Sequence, residues 1–213
     1  YRIARAPNPL ASICGRVCGA PCEAACRRGS LDQSISIRAL KRSAFEEGKP
    51  DPIPTAFIRR LRETLEGRIC SGREDVGGLL NSIEEGKLKK VKGMSIGIIV
   101  SGPAGLAAAH DLALMGFSVV IYEMESVAAG MLYLGIPAYR LPKEIIDAEV
   151  GVIKSLGVRI QTNCAVGKDV SLEELRKRHN AVVIAVGLRK SRTVPIPGSK
   201  AEGVDIQPGD VIQ

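Results

Sequence analysis

From Ser95 to Val186 apolar runs alternate with amphipathic stretches, the pattern of a parallel sheet covered by helices. Continuous apolar runs at Ser95–Val100, Ser118–Glu123 and Ala181–Val186 predict buried strands, and Val158–Thr162 predicts a fourth. Helices are predicted over Ala104–Met115, over Lys143–Leu156 from the spacing of Ile145, Ile146, Val150 and Ile153, and over Ser171–His179, which opens on the capping pair Ser171 and Glu174. Before Ser95 the texture differs. Residues 1–34 mix Cys, Gly, Pro and Arg, poor material for a regular element and good material for a chain wrapped around a metal centre. Ile35–Glu47 carries Ile37, Leu40 and Ala44 at helical spacing, two prolines break the chain between Lys49 and Pro54, and Ala56–Leu65 and Val76–Leu88 read as two more short helices. A basic run, Lys87, Lys89, Lys90 and Lys92, closes this part. The boundary between two units is therefore expected near Gly93, giving residues 1–93 and 94–213, with no internal repeat.

A chain of 213 residues, 45% of them apolar, is long enough for a small domain plus most of a larger one. Aromatic residues make up 3% and Trp is absent, which leaves few rings for stacking bases and argues against single-stranded nucleic-acid binding. The net charge of +7 sits in the first unit, where residues 1–93 hold 18 Lys and Arg against 11 Asp and Glu, while residues 94–213 hold 12 of each. Such an excess suits a phosphate, an acidic partner or a thiolate-bound cluster, and suits ordinary solvated helix faces equally well. No run approaches the roughly 20 apolar residues of a membrane helix, and Tyr1–Leu10 is not a signal peptide. A soluble, cytoplasmic protein is expected. It opens on Tyr1 rather than Met, as a processed chain or a piece of a longer one does.

Candidate chemistry enters with Cys14, Cys18, Cys22 and Cys26, each four residues from the next. In a straight helix the first and last would stand about 18 Å apart, so one centre could not hold both. The chain must fold back or serve two centres, and Gly19-Ala20-Pro21 is where it can turn; Cys22 to Cys26 can be one helical turn. Zinc prefers two cysteine pairs well separated in sequence, and disulfides need an oxidising compartment. Iron–sulfur ligation by thiolates fits best.

The second signal is Ile98-Ile-Val-Ser-Gly-Pro-Ala-Gly-Leu106 between a strand and a helix, with Glu123 ending the next strand. This arrangement brings pyrophosphate against backbone donors at a helix N-terminus, through Ser101, Gly102, Pro103, Ala104 and Gly105, while the acid takes ribose hydroxyls. Glu at the strand end favours an unphosphorylated ribose, as in FAD or NAD. Val100 stands where the pattern's first glycine belongs, and a β-branched residue there implies strain on the order of 1–3 kcal/mol.

The segment from Asn8 through Cys26-Arg-Arg-Gly29, followed by Ile35-Ser-Ile-Arg-Ala-Leu-Lys-Arg42, resembles the amino-terminal cluster domain shared by the small subunit of bacterial glutamate synthase, dihydropyrimidine dehydrogenase and the larger subunit of electron-bifurcating transhydrogenases. The resemblance implies two [4Fe–4S] clusters ligated by this cysteine group and by an upstream group that this chain lacks. Cys18, Cys22 and Cys26 match ligand positions, Cys14 matches a cysteine that need not bind iron, and Lys41 stands where the family can use Gln or Glu. A protonated Lys is no ligand, so Cys14 takes over or the cluster arrangement differs. The stretches Tyr122-Glu123, Ala129-Gly130-Met131-Leu132, Gly135 to Pro142 and Ala185-Val-Gly187 resemble the FAD domain of the same family, which has a glycine pair at Ala129-Gly130. This implies flavin contacts at Gly130, Met131 and Gly187, and places Arg140 in a flavin-side loop. A complete member carries a second dinucleotide fold for NAD(P)H; no further glycine motif follows a strand here, so this chain alone is not expected to use a nicotinamide.

The fold expected is thus a small α-helical iron–sulfur domain followed by an incomplete α/β Rossmann-like FAD-binding domain. The function expected is an electron-transfer oxidoreductase subunit passing electrons between [4Fe–4S] clusters and FAD, with other redox subunits as partners. Two alternatives remain open: a non-catalytic assembly subunit with weak or lost flavin binding, and a zinc-stabilised basic module for nucleic acid. Cys70 and Cys164 read as structural or free thiols, His110 and His179 have no nucleophile beside them, and no hydrolytic triad or catalytic carboxylate pair stands out.

Overall fold

The computed structural model describes residues 8–47 and 93–188, with Pro197 and Ala201. The helices expected at Ala56–Leu65 and Val76–Leu88, the basic run before Gly93 and Cys70 lie outside the described residues.

Among the described residues of the first part there are three helices, α1 (Ala11–Val17), α2 (Pro21–Ala24) and α3 (Ile37–Glu47), with a 3₁₀ turn at Arg27–Ser30. The second part runs β1 (Ser95–Ile99), α4 (Pro103–Leu114), β2 (Ser118–Tyr122), α5 (Met131–Leu134), α6 (Lys143–Ser155), β3 (Arg159–Gln161), α7 (Leu172–Arg178) and β4 (Ala181–Ile184). All pairings are parallel, in the order β3-β2-β1-β4. Each expected strand and helix from Ser95 onward is present within one or two residues. The central strands β1 and β2 are apolar on both faces because both faces are covered. Ile96, Ile98, Val119 and Ile121 pack with Leu106 of α4 and Ile146, Val150 and Ile153 of α6. Ile99, Val120 and Tyr122 form a second core with Cys164, Val170 and Leu175. Ser171 caps α7 reciprocally with Glu174, as its sequence predicts.

Helix α1 corrects the expectation that residues 1–34 are poor material for a regular element. It is only seven residues long and no side chain of its own first turn caps it, so local propensity alone leaves it marginal. Tertiary contacts supply the rest. Leu10 and Ile13 join the main core, where α1 packs against α6. Glu149 of α6, 1% exposed, accepts the Ser12 amide at 2.8 Å and so caps α1 from another element. The cysteine-bearing helix and the sheet therefore share one core. Gly15 sits where a Cβ would stand 3.1 Å from the Arg42 Cα, which brings α3 close against α1.

The second face of the sheet is stapled by His179, whose Nδ1 lies 2.6 Å from Ser95 Oγ and whose Nε2 lies 2.8 Å from Tyr122 Oη. The ring packs over Gly97, where a Cβ would meet it at 2.7 Å. Burial, then the charges of Arg159 and Arg178, hold the His179 pKa below its ordinary value.

Two outcomes follow from these contacts. Glu149→Ala leaves the Ser12 amide without its acceptor and should cost about 1.5–3 kcal/mol in thermal unfolding, the range for a hydrogen bond to a charged group. A histidine whose folded-state pKa is depressed makes the unfolded chain bind more protons, so its stabilisation is complete above its ordinary pKa of about 6.5 and falls as pH drops from there through the folded value. Melting temperatures measured across that window should decline less in His179→Gln than in the parent.

Candidate cofactor site

The strand order changes direction at β1, because the chain adds β2 and β3 on one side and then crosses to place β4 on the other. In an open parallel sheet, ligands bind at the carboxyl ends of the strands at such a point. Val100–Gly102 after β1, Glu123 after β2 and Gly187 beyond β4 all follow those carboxyl ends. Gly102 caps α4 without a side-chain hydrogen bond, Pro103 is the first helical residue, and no acid stands in the first turn. The first intrahelical bond shown runs from the Leu106 amide to Gly102 O at 2.9 Å, so the Ala104 and Gly105 amides precede the helix ladder. Those amides and the positive end of the helix dipole suit an anion.

Closeness decides the glycines. A Cβ on Gly105 would stand 2.1 Å from Val100 O, and one on Gly130 would stand 3.2 Å from Gly102 Cα. The loop after β2 therefore leans on the turn. Val100 adopts φ +77° and Ala129 φ +85°, the left-handed region that favours glycine. The strain expected at Val100 is present, and Ala129 adds a second instance; each is worth roughly 1–3 kcal/mol.

Ser101 and Glu123 are both buried. The Ser101 amide and hydroxyl donate to Glu123 Oε2 at 2.8 and 2.5 Å, the Glu125 amide donates to Oε1 at 3.0 Å, and the Ala129 amide donates to Ser101 Oγ at 3.0 Å. Met131 opens α5 with 42% of its surface exposed, and Gly187 is exposed at φ +62°. Arg140 stands elsewhere: it lines a cleft of about 510 Å³ with Arg16, Glu23, Arg38 and Arg42, against the cysteine-bearing part. The larger cavity, about 750 Å³, lies between Ser95, Tyr122, Arg159 and His179 beside the second face of the sheet. The amide donors, the glycine contacts and the buried carboxylate fit a dinucleotide such as FAD at the carboxyl end.

Cys14 lies in α1, Cys18 caps it, Cys22 lies in α2 and Cys26 precedes the 3₁₀ turn. The chain folds back where Gly19-Ala20-Pro21 predicts, although the left-handed residue is Ala20, at φ +51° and ψ +50°, and Pro21 begins α2. Helix α2 stops at Ala24, so Cys22 to Cys26 is not one helical turn. All five described cysteines are free thiols. The Ile35 amide first, then those of Arg28 and Gly29, hold the Cys26 thiol below its ordinary pKa. Cys18 Sγ accepts the Ala20 amide at 3.4 Å. Burial, then Asp169, pushes the Cys164 thiol the other way. Among the described residues no three Cys, His or acidic side chains stand close enough to hold one metal ion. These thiols fit iron–sulfur ligation in kind, through amide donors aimed at sulfur, and not as a preassembled set of four. Lys41 sits half-buried on α3.

Residues 94–208 match the family described as pyridine nucleotide-disulphide oxidoreductase. The chain belongs to this family. Residues 1–51 match the family described as dihydropyrimidine dehydrogenase domain II, 4Fe-4S cluster, so a helical iron–sulfur part precedes an α/β dinucleotide part. Over 199 residues the chain is 40% identical to the NADP(+)-dependent formate dehydrogenase subunit beta of Moorella thermoacetica, covering 92% of this chain and 27% of that one. It is 36% identical to the NADPH-Fe(3+) oxidoreductase subunit beta of Geobacter sulfurreducens, over 92% of this chain and 25% of the relative. It is 42% identical to the glutamate synthase [NADPH] small chain of Azospirillum brasilense, over 50% and 22%. The chain thus spans about a quarter of the length of these curated relatives. A solved structure, Mycobacterium tuberculosis FprA in complex with NADPH, aligns over 50% of this chain and 25% of that chain at 28% identity, with a TM-score of 0.42. The resemblance read from the cysteine and glycine motifs agrees with these relatives.

Of the residues that matter here, the sequence motifs miss Glu149, because its partner lies 137 residues away, and Ala20, whose torsion no motif encodes. The amide donors around Cys26 have a direct consequence. In metal-free protein its alkylation by iodoacetamide, followed by mass spectrometry across a pH series, should show a midpoint below that of an ordinary thiol.

Proposed function

We propose that this chain is part of an electron-transfer subunit of a flavin and iron–sulfur oxidoreductase. Residues 1–93 hold [4Fe–4S] chemistry through Cys14, Cys18, Cys22 and Cys26, with further ligands from outside this group. Residues 94–213 hold FAD. Gly102, Ala104 and Gly105 receive the pyrophosphate, Glu123 the ribose, and Gly130, Met131 and Gly187 line the flavin side. The cofactors carry the redox chemistry; the chain positions them and sets the fields around them. The observation that carries this reading is the shared core: helix α1, bearing Cys14, packs against α6, and its Ile13 belongs to the same apolar core as the strand that leads into the dinucleotide turn. Two redox centres anchored to one rigid core keep a fixed separation, which electron transfer requires. The relatives named as beta subunits and small chains support partnership with other redox subunits. Among the described residues no helix is long and apolar enough to cross a membrane. A reducing cytoplasmic setting suits the free thiols.

A second reading, a subunit kept for assembly with weak flavin binding, is favoured by the left-handed Val100 and Ala129 in the turn. Absorbance of anaerobically purified protein separates the two: flavin bands over a broad iron–sulfur shoulder, or the shoulder alone. If strain alone weakens the site, Val100→Gly should tighten FAD by about tenfold or more in a fluorescence-quenching titration, the equivalent of relieving 1.4 kcal/mol. Absence of binding in both parent and variant, with the fold intact by circular dichroism, selects the assembly reading.

A further inference from the structure

Ser101 has no exposed surface, and its single hydroxyl proton is committed to Glu123. Such a group has nothing left to donate to a ligand. Its bonds run inward to three segments: the turn after β1 through its own backbone, the end of β2 through Glu123, and the loop before α5 through the Ala129 amide. Glu123 accepts three hydrogen bonds from its own chain. A carboxylate offers about four acceptor positions, so one remains, on Oε1.

The two left-handed residues flank this knot. Val100 immediately precedes the Ser101 amide that reaches Glu123, and Ala129 supplies the amide that reaches Ser101 Oγ. Neither residue favours its torsion, yet each is joined to a buried, charge-assisted hydrogen-bond network.

We propose that Ser101 is a positioning residue and not a cofactor ligand: its buried hydroxyl locks the turn, Glu123 and the Ala129–Gly130 loop into one cradle, doing by hydrogen bonding what glycine at positions 100 and 129 would do by backbone freedom. The lock stands on the geometry; its consequence, that Glu123 presents one remaining acceptor to a ribose hydroxyl, rests on the FAD reading.

The test uses the whole chain with Ser101→Ala, the pair Val100→Gly and Ala129→Gly, and all three together. Thermal melting without flavin reads the lock. Ser101→Ala should lower the melting temperature in the parent, and by less than half as much in the double-glycine background, where the torsions no longer need holding. Equal losses in both backgrounds overturn the proposal. Ser101→Cys fills the same space with a weak donor; melting like the parent would assign the effect to packing and overturn it too, whereas melting like Ser101→Ala supports it. Titration with FAD and with FAD lacking the adenosine 2′-hydroxyl reads the consequence. The parent should prefer FAD by about tenfold, the worth of one hydrogen bond to a charged group, and Ser101→Ala should lose that preference more than it loses affinity for the deoxy analogue. An unchanged preference overturns the positioning of Glu123. Melting coupling with no FAD binding in any variant supports the lock and removes the FAD reading.

Discussion

The site at the carboxyl end of the sheet depends on one steric constraint, the approach of helix α4 to the end of β1. With Val100 O only 2.1 Å from where a Gly105 Cβ would stand, any other residue at 105 would push the helix away from the strand. That approach brings the amides of the first turn to the strand end, and it forces the chain between Ile99 and Pro103 into a turn so tight that Val100 is left-handed. The strain is the local cost of that close approach, and the buried bonds of Ser101 to Glu123 stand directly beside it.

The same logic, a polar group from one element satisfying the backbone of another, joins the two parts of the chain. Helix α1 is too short to be stable alone and lacks a side-chain cap of its own, so it forms where Glu149 accepts its Ser12 amide and where Ile13 finds an apolar surface. A buried carboxylate is costly unless it is hydrogen-bonded, which ties the folding of α1 to that of α6. Around the cysteines, backbone amides again do the work: those of Ile35, Arg28 and Gly29 favour the thiolate of Cys26. Donors aimed at sulfur also tune the potential of a cluster held there. The basic cleft of Arg16, Arg38, Arg42 and Arg140 lies where the two parts meet. Its charge is partly answered within the chain, since Glu46 pairs with both Arg16 and Arg42.

The sequence by itself determined the parallel α/β unit, because apolar runs of strand length alternating with amphipathic helices leave few other ways to bury both faces of a sheet. It determined the helix at Ile37–Glu47, the capping box at Ser171 and Glu174, the fold-back between Cys18 and Cys22, and the strained position Val100. These are short-range matters of period, spacing and side-chain shape. Only the tertiary structure decided the rest. That residues 11–17 are helical follows from a carboxylate 137 residues away. That Glu123 is three parts occupied follows from a serine 22 residues before it and a loop beyond it. That Arg140 faces the cysteine-bearing part follows from how the two parts pack. A motif records which residue types a site needs, whereas the hydrogen bonds a buried group makes depend on distances between segments, which no local pattern carries.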